Sequence, residues 1–325
     1  MKKGLLAMSS LVALCLSSCA TGVHHDPSEY RLTLNFAGTG DFNILQLTDT
    51  HLGDKDDLDL QFKFLDLLIS EAINEKHADM IVVTGDLFTF SSKTLASRYF
   101  SFLDSYNKPW TVTFGNHDEQ CYYSVDWLTN KLNTSYKNCL FKDIQDDDVH
   151  GNSNFVIDVK KGGADFEQLV IMDSNRYDYS GFKGYDHFYQ DQIDWYDSVV
   201  KPGVKSLMFY HIPLPEINDA WEHGEALPGV DKGEKREDTC PPKSDPGFFK
   251  VIKEKGSTNG MFFGHDHVNN FTVKYENVVF SYGIKSTDRV YYDEDMLGYQ
   301  IISVHNDVEH SLGIERVYHT YKEVM

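Results

Sequence analysis

Short apolar runs alternate with longer amphipathic ones over most of the chain. Tyr30 to Phe36 alternates as a strand does, Gly38-Thr39-Gly40 makes a turn, and Phe42 to Leu47 is a second strand. Leu58 to Glu75 carries apolar residues at 58, 62, 65, 68, 69 and 73, close to the helical period. Met80–Val83 is a buried strand, Ser91–Tyr106 a helix capped at Ser91 or Ser92, and Trp110–Phe114 another strand. Strands follow at Phe155–Val159 and Leu169–Met172, then a helix near Asp191–Val200, a strand at Leu207–Tyr210, a helix near Phe248–Lys255 and a strand at Met261–Phe263. Phe271 to about Val317 is mostly β. Such alternation predicts a layered α/β domain over residues 30–325, with no internal repeat and no second domain boundary. One stretch breaks the pattern. Pro213 to Pro246 is rich in Pro, Gly and charge with little periodicity. So long a loop in a compact domain is more often functional than idle. Its place directly after His211 predicts a lid that selects substrate.

The first residues follow a different grammar. Lys2 and Lys3 precede the mostly apolar run Leu5–Leu16. At about 12 residues it is too short to span a bilayer, which takes about 20, and it suits a secretory signal. The run ends Leu16-Ser17-Ser18-Cys19. This resembles a bacterial lipobox and predicts a signal peptide over 1–18, lipidation of Cys19, and export to a bacterial membrane on its periplasmic or outer side. Residues 19–29 read as a polar tether. Cleavage would remove Lys2 and Lys3 and no acid, taking the formal charge from −20 to −22. So acidic a chain is not expected to hold bulk nucleic acid, which needs clustered Lys and Arg. A small phosphate ester remains open to it, because bound cations can invert the local field. Of the later cysteines, Cys121 and Cys139 either pair or stay free, and Cys240 has no partner in spacing. No coiled-coil repeat points to an oligomeric state.

The informative positions are the strand ends. Five apolar strands each run into a metal-capable residue: Asp49 and His51 after Leu47, Asp86 after Val83, Asn116 after Phe114, His211 after Tyr210, and His265 and His267 after Phe263. In α/β sheets, ligands bind at the carboxyl ends of strands. Two carboxylates, one amide oxygen and four imidazoles exceed the needs of one four-coordinate ion but suit two. The mixed N/O set favours Mn, Fe, Zn or Co over Ca or Mg. Two such ions form a clamp for displacement at phosphorus. His211 alone would read as structural, and Asp49 and Asp86 alone as caps; the set of seven changes that. His77, His150, His305, His310 and His319 have no such context and are expected at the surface, while His187 and His223 stay open.

Asp-x-His, Gly-Asp, Gly-Asn-His-Asp, a lone His and Gly-His-x-His, in this order, resemble the calcineurin-like metallophosphoesterase superfamily. The runs Phe42–Gly53, His211–Glu216 and Gly264–Phe271 resemble its purple-acid-phosphatase-like branch. The resemblance implies a two-sheet β-sandwich flanked by helices, with the site at one edge. It implies that Asp49, His51, Asp86 and His267 hold one metal, and that Asn116, His211 and His265 complete a second with Asp86 as bridge. His117 would face the phosphate, neutralising charge on the ester or protonating the leaving oxygen. Asp118 would either orient His117 or start a helix. The chain departs from true purple acid phosphatases at Thr89, where they carry a metal-binding Tyr, so a colourless site is expected. The expected activity is hydrolysis of a small phosphate ester, read as a monoester. A phosphodiesterase or nuclease, and a catalytically silent surface binding protein, are the rivals.

Overall fold

The computed structural model describes residues 26–179 and 184–325. The expected signal segment 1–18, the lipidation site Cys19 and the tether up to residue 25 lie outside the described residues. The end of the expected tether belongs to the domain instead. Pro27–Tyr30 forms a 3-10 turn capped by Asp26, and Tyr30 is buried edge-on against Trp195.

In chain order the strands are β1 (Arg31–Phe36), β2 (Phe42–Leu47), β3 (Met80–Thr84), β4 (Trp110–Thr113), β5 (Phe155–Lys161), β6 (Ala164–Ile171), β7 (Ser206–Phe209), β8 (Thr258–Phe263), β9 (Thr272–Tyr275), β10 (Val278–Tyr282), β11 (Gly298–Val304) and β12 (Leu312–Tyr318). The helices are α1 (Leu58–Asn74), α2 (Lys93–Ser105), α3 (Val125–Ser135), α4 (Gln190–Val199), α5 (Ile217–His223) and α6 (Phe248–Lys255). Seven strands form one sheet in the order β1-β5-β6-β7-β8-β10-β9, and five form the other in the order β12-β11-β2-β3-β4.

Side-chain alternation divides the large sheet between two cores. Leu169, Ile171, Leu207, Phe209 and Phe262 join the core shared with the five-stranded sheet, α1 and α2. Val170, Met208, Tyr210, Met261 and Phe263 face the other way and join Ile193, Tyr196, Phe248 and Ile252 of α4 and α6. The result is the expected two-sheet sandwich with helices on both outer faces. Between the sheets lies a buried polar link: Gln300 Nε2 donates to Gln46 Oε1 (2.7 Å), and Gln46 Nε2 donates to Thr84 Oγ1 (2.8 Å) and the Phe263 carbonyl (3.3 Å). It ties β11, β2, β3 and β8 together one layer below the strand ends that matter. There β2, β3 and β4 run parallel in one sheet, and β6, β7 and β8 in the other.

The segment Pro213–Pro246 is not a free loop. It carries α5, and its next part zips along the chain beyond β8. Glu225 and Lys274 exchange backbone hydrogen bonds at 3.0 and 2.7 Å, Thr272 N–H donates to the Lys232 carbonyl, Asn270 N–H to the Glu234 carbonyl, and Arg236 N–H to the Val268 carbonyl. Cys121, Cys139 and Cys240 are free thiols. His310, expected at the surface, pairs with the buried Glu167 at 2.8 Å, and His319 lies 2.8 Å from both Glu71 and Glu323.

Candidate metal centre

Each of the five strand ends delivers its polar residue to one buried spot between the sheets. Asp49, His51, Asp86, Asn116, His211, His265 and His267 are all buried. Four of them sit on left-handed backbone: Asp49 (φ 53°), His51 (φ 45°), Asp86 (φ 49°) and His265 (φ 83°). A side chain held there costs about 1–3 kcal/mol and persists only where the surroundings impose it. Here they do. Asp49 N–H donates to the Gly85 carbonyl and His51 N–H to the Asp86 carbonyl, at 3.2 and 2.9 Å, locking the two turns to each other. Gly264 and Gly115 let the turns close. A Cβ on Gly264 would overlap the Thr48 hydroxyl and stand 2.5 Å from Asp49 Oδ2, and one on Gly115 would overlap Asp86.

The imidazoles are held from behind. His211 Nδ1 donates to the Thr84 carbonyl and His267 Nδ1 to the Tyr291 carbonyl, both at 2.8 Å. A carbonyl can only accept, so Nδ1 carries hydrogen on each ring and Nε2 is the nitrogen left facing the centre. His51 Nδ1 meets Thr89 Oγ1 at 2.8 Å. Thr89 therefore steadies His51. Asn116 Nδ2 donates to the Tyr177 hydroxyl at 2.8 Å, which turns the amide oxygen inward.

Among the described residues, four of the atoms that face inward make no hydrogen bond. Asp49 Oδ1, Asn116 Oδ1, His211 Nε2 and His265 Nε2 are buried without a hydrogen bond. Buried polar atoms left so cost about 1–3 kcal/mol each. His51 Nε2 and His267 Nε2 stand 3.1 Å apart. His51 Nε2 lies 3.4 Å from Asp86 Oδ2, His211 Nε2 lies 3.2 Å from the same oxygen, and His267 Nε2 lies 3.4 Å from Asp49 Oδ1. The ligand atoms form two groups that share Asp86: Asp49, His51, Asp86 and His267 in one, and Asp86, His211 and His265 in the other, each with its atoms within 4.8 Å of one another. Burial pushes His51 and His265 down to about 3, leaving neutral imidazoles. Burial also opposes a charge on His211, but Asp86 and Asp49 outweigh it and raise its pKa to about 10. Imidazole nitrogens converging on two carboxylates are what a pair of cations requires, and the donor set fits two divalent ions.

His117 and Asp118 fall apart in role. His117 N–H donates to Asp86 Oδ1 at 2.8 Å, and its ring lies edge-on to His51 with centroids 5.1 Å apart. Its Nδ1 bonds Gln120 Oε1 at 2.8 Å. Asp118 does not touch the ring. It is buried and accepts from the backbone N–H groups of Gly115 (2.8 Å) and Phe88 (3.1 Å). The expectation that Asp118 orients His117 is thus replaced by Gln120, while Asp118 braces the turn that carries Asn116. Sequence reasoning also missed Tyr177 and Tyr291. Neither follows a strand in a motif, and Tyr291 reaches the site only through its carbonyl and by stacking on His267 at 4.1 Å.

The family profile of the calcineurin-like phosphoesterases matches residues 42–269, from β2 through the last of these ligands. The chain belongs to that family. Among curated relatives it is 28% identical to probable inactive purple acid phosphatase 14 of Arabidopsis thaliana, over 84% of this chain and 76% of that one. It is 27% identical to probable inactive purple acid phosphatase 29 of the same plant, over 84% and 77%. Among solved structures, a dimetal phosphatase from Danio rerio superposes with a TM-score of 0.52 at 14% identity, covering 86% of this chain and 99% of that one. GAP50, the anchor in the inner membrane complex of Plasmodium, superposes with a TM-score of 0.52 at 11% identity, covering 87% and 86%. The metallophosphoesterase fold and its buried Asp/His cluster are therefore both present in this chain.

Proposed function

We propose that this metallophosphoesterase hydrolyses small phosphate monoesters outside the cytoplasm, tethered to a bacterial membrane through lipid on Cys19. The observation that carries the activity is the pair of ligand groups sharing Asp86, with four inward atoms that make no hydrogen bond among the described residues. Asp49, His51, Asp86 and His267 would hold one divalent ion, and Asp86, Asn116, His211 and His265 the other. When bound, such a pair neutralises phosphoryl charge and acidifies water. The protein's own part is positional. Asp86 fixes His117 through its backbone N–H, and Gln120 holds Nδ1, so that Nε2 is the atom left to give a proton to the leaving oxygen. The net charge of −20 weighs against long polyanions, and hence against a nuclease.

A second reading has specific support. The Arabidopsis relatives are named probable inactive phosphatases, and GAP50 is described as an anchor. A silent binding protein on the same scaffold would fit those names. The hydrolase reading rests on the completeness of the ligand set and on His117. The deciding experiment compares p-nitrophenyl phosphate with bis-p-nitrophenyl phosphate on the full chain, metal-stripped and then refilled with Mn²⁺. Metal-dependent turnover, faster on the monoester, is expected. Absence of turnover with two ions bound would favour the silent reading. For the anchor, mass spectrometry is expected to find diacylglyceryl on Cys19, and Cys19→Ala to release the protein from membranes.

A further inference from the structure

Next to His51 the metal centre opens into a cavity of about 590 Å³. Its rim is apolar and exposed: Phe90 is 58%, Tyr122 66% and Val290 56% accessible. Isolated exposed apolar side chains need no explanation, but three on the rim of one cavity do. Two of them are also held against their backbone preference. Phe90 has φ 55° and Val290 φ 65°. For a β-branched valine that conformation is a genuine outlier, and such strain gathers where a side chain must be presented to a ligand.

Much of the polar lining is already engaged. Arg289 Nη1 donates to Asp56 (2.9 Å) and its Nε to Asp288 (2.8 Å), while Asp54 accepts from the Ser92 N–H and hydroxyl at 3.1 and 2.8 Å. Lys55 and Arg289 offset Asp54 and Asp56 in formal charge. The cavity therefore presents no net positive field for a second phosphate, and the Arg289 Nη1 and Nε donors are already committed to Asp56 and Asp288. It presents apolar walls at the mouth of a site that would hold a phosphoryl group.

We propose that this cavity receives the organic part of the ester, and that Phe90, Tyr122 and Val290 select a flat aromatic alcohol as leaving group. As a statement about substrate this rests on the hydrolase reading above; as a statement about binding an aromatic alcohol it stands on the cavity alone. The test uses the Mn²⁺-filled full chain and its Phe90→Ala, Tyr122→Ala and Tyr122→Phe variants. Equilibrium dialysis measures binding of 2-naphthol, and kinetics compare 2-naphthyl phosphate with glycerol phosphate. Loss of an aromatic wall should weaken naphthol binding about tenfold, and raise the ratio of the two KM values (naphthyl over glycerol) about tenfold, in both alanine variants. Tyr122→Phe should keep both near wild type. No naphthol binding, or binding equal in all four proteins, overturns the proposal. Naphthol binding that is lost in the alanine variants, with neither ester hydrolysed, upholds the cavity assignment and overturns the hydrolase reading instead.

Discussion

Asp86 accepts the backbone N–H of His117 at Oδ1, 2.8 Å away, while its Oδ2 lies 3.2 Å from His211 Nε2 and 3.4 Å from His51 Nε2. One carboxylate thus joins both ligand groups and sets the turn that presents His117. Its substitution should act on both at once. Asp86→Asn keeps the size and an acceptor oxygen but removes the charge. Bound metal, measured by elemental analysis, is expected to fall from about two ions per chain to below one, with activity lost in parallel. A variant that retains two ions would remove Asp86 from the bridging position.

His117 is not among the ligand groups, so metal content and turnover should separate there. His117→Ala is expected to keep both ions and to lower kcat on alkyl esters by about 10²–10⁴-fold, with much less effect on p-nitrophenyl phosphate, whose leaving group needs no proton. Gln120 acts only through the ring. Gln120→Ala should give a smaller loss in the same direction and alter the pH profile of kcat. Equal losses on good and poor leaving groups would argue against proton donation by His117.

Asp118 calls for a different experiment, because its two oxygens serve the buried N–H groups of Gly115 and Phe88. Burial, and then the charge of Asp86, push its pKa well above the usual carboxylate range. Asp118→Ala leaves both donors without a partner, which costs about 2–4 kcal/mol and should lower Tm by about 3–6 °C. Thermal denaturation measures this directly. Unchanged Tm with lost activity would return Asp118 to a catalytic role.

The helices α1, α2, α4 and α6 were legible because one face in a core writes its period into the sequence, and the central strands because burial on both faces leaves short unbroken apolar runs. Val125–Ser135 was missed because only Val125, Leu128 and Leu132 mark its buried face among Asn, Thr and Ser, and Ile217–His223 because two turns carry too little period to read. The ligand groups were legible because metal-binding residues at strand ends are chemically conspicuous. What supports them was not. Thr84 and Tyr291 act through carbonyls, which every residue has, and Gln120 acts through a contact that no residue type signals. The segment after His211 looked idle or lid-like because backbone pairing to Val268–Lys274 needs no side-chain pattern. There Glu237 accepts from the Val268 N–H and from the Tyr291 hydroxyl, so it braces the turn that carries His267.

At the far end of the large sheet, Arg31 joins β1 to β5 through Asp158, with Nε to Oδ2 at 2.8 Å, and Lys201 reaches Asp158 Oδ1 at 3.1 Å. Burial alone would raise the Asp158 pKa, but Arg31 and Lys201 outweigh it and hold it below the usual value. A carboxylate whose pKa is lower folded than unfolded stabilises the fold above its unfolded pKa of about 3.9, and that contribution is lost as pH falls through the folded value. Urea denaturation should therefore show Asp158→Asn less stable than wild type at pH 6, with the gap narrowing below pH 4. A gap that does not change with pH would mean that Asp158 acts by shape and not by charge.

Metal removal should register in stability as well as in catalysis. The inward atoms of Asp49, Asn116, His211 and His265 make no hydrogen bond among the described residues, and Asp86 and Asp49 lie side by side among them. Ions that bind only the folded chain stabilise it by mass action, by about 2.7 kcal/mol for each one kept at about 100 times its Kd. Chelation is therefore expected to lower the urea midpoint, and Mn²⁺ to restore it in a concentration-dependent way. Asp86→Asn supplies the control: with neither ligand group complete, its midpoint should shift far less with chelator or Mn²⁺. If wild type and variant respond alike, the stabilising ions bind elsewhere on this acidic surface, and the strain at Asp49, His51, Asp86 and His265 would have to be held by protein contacts alone.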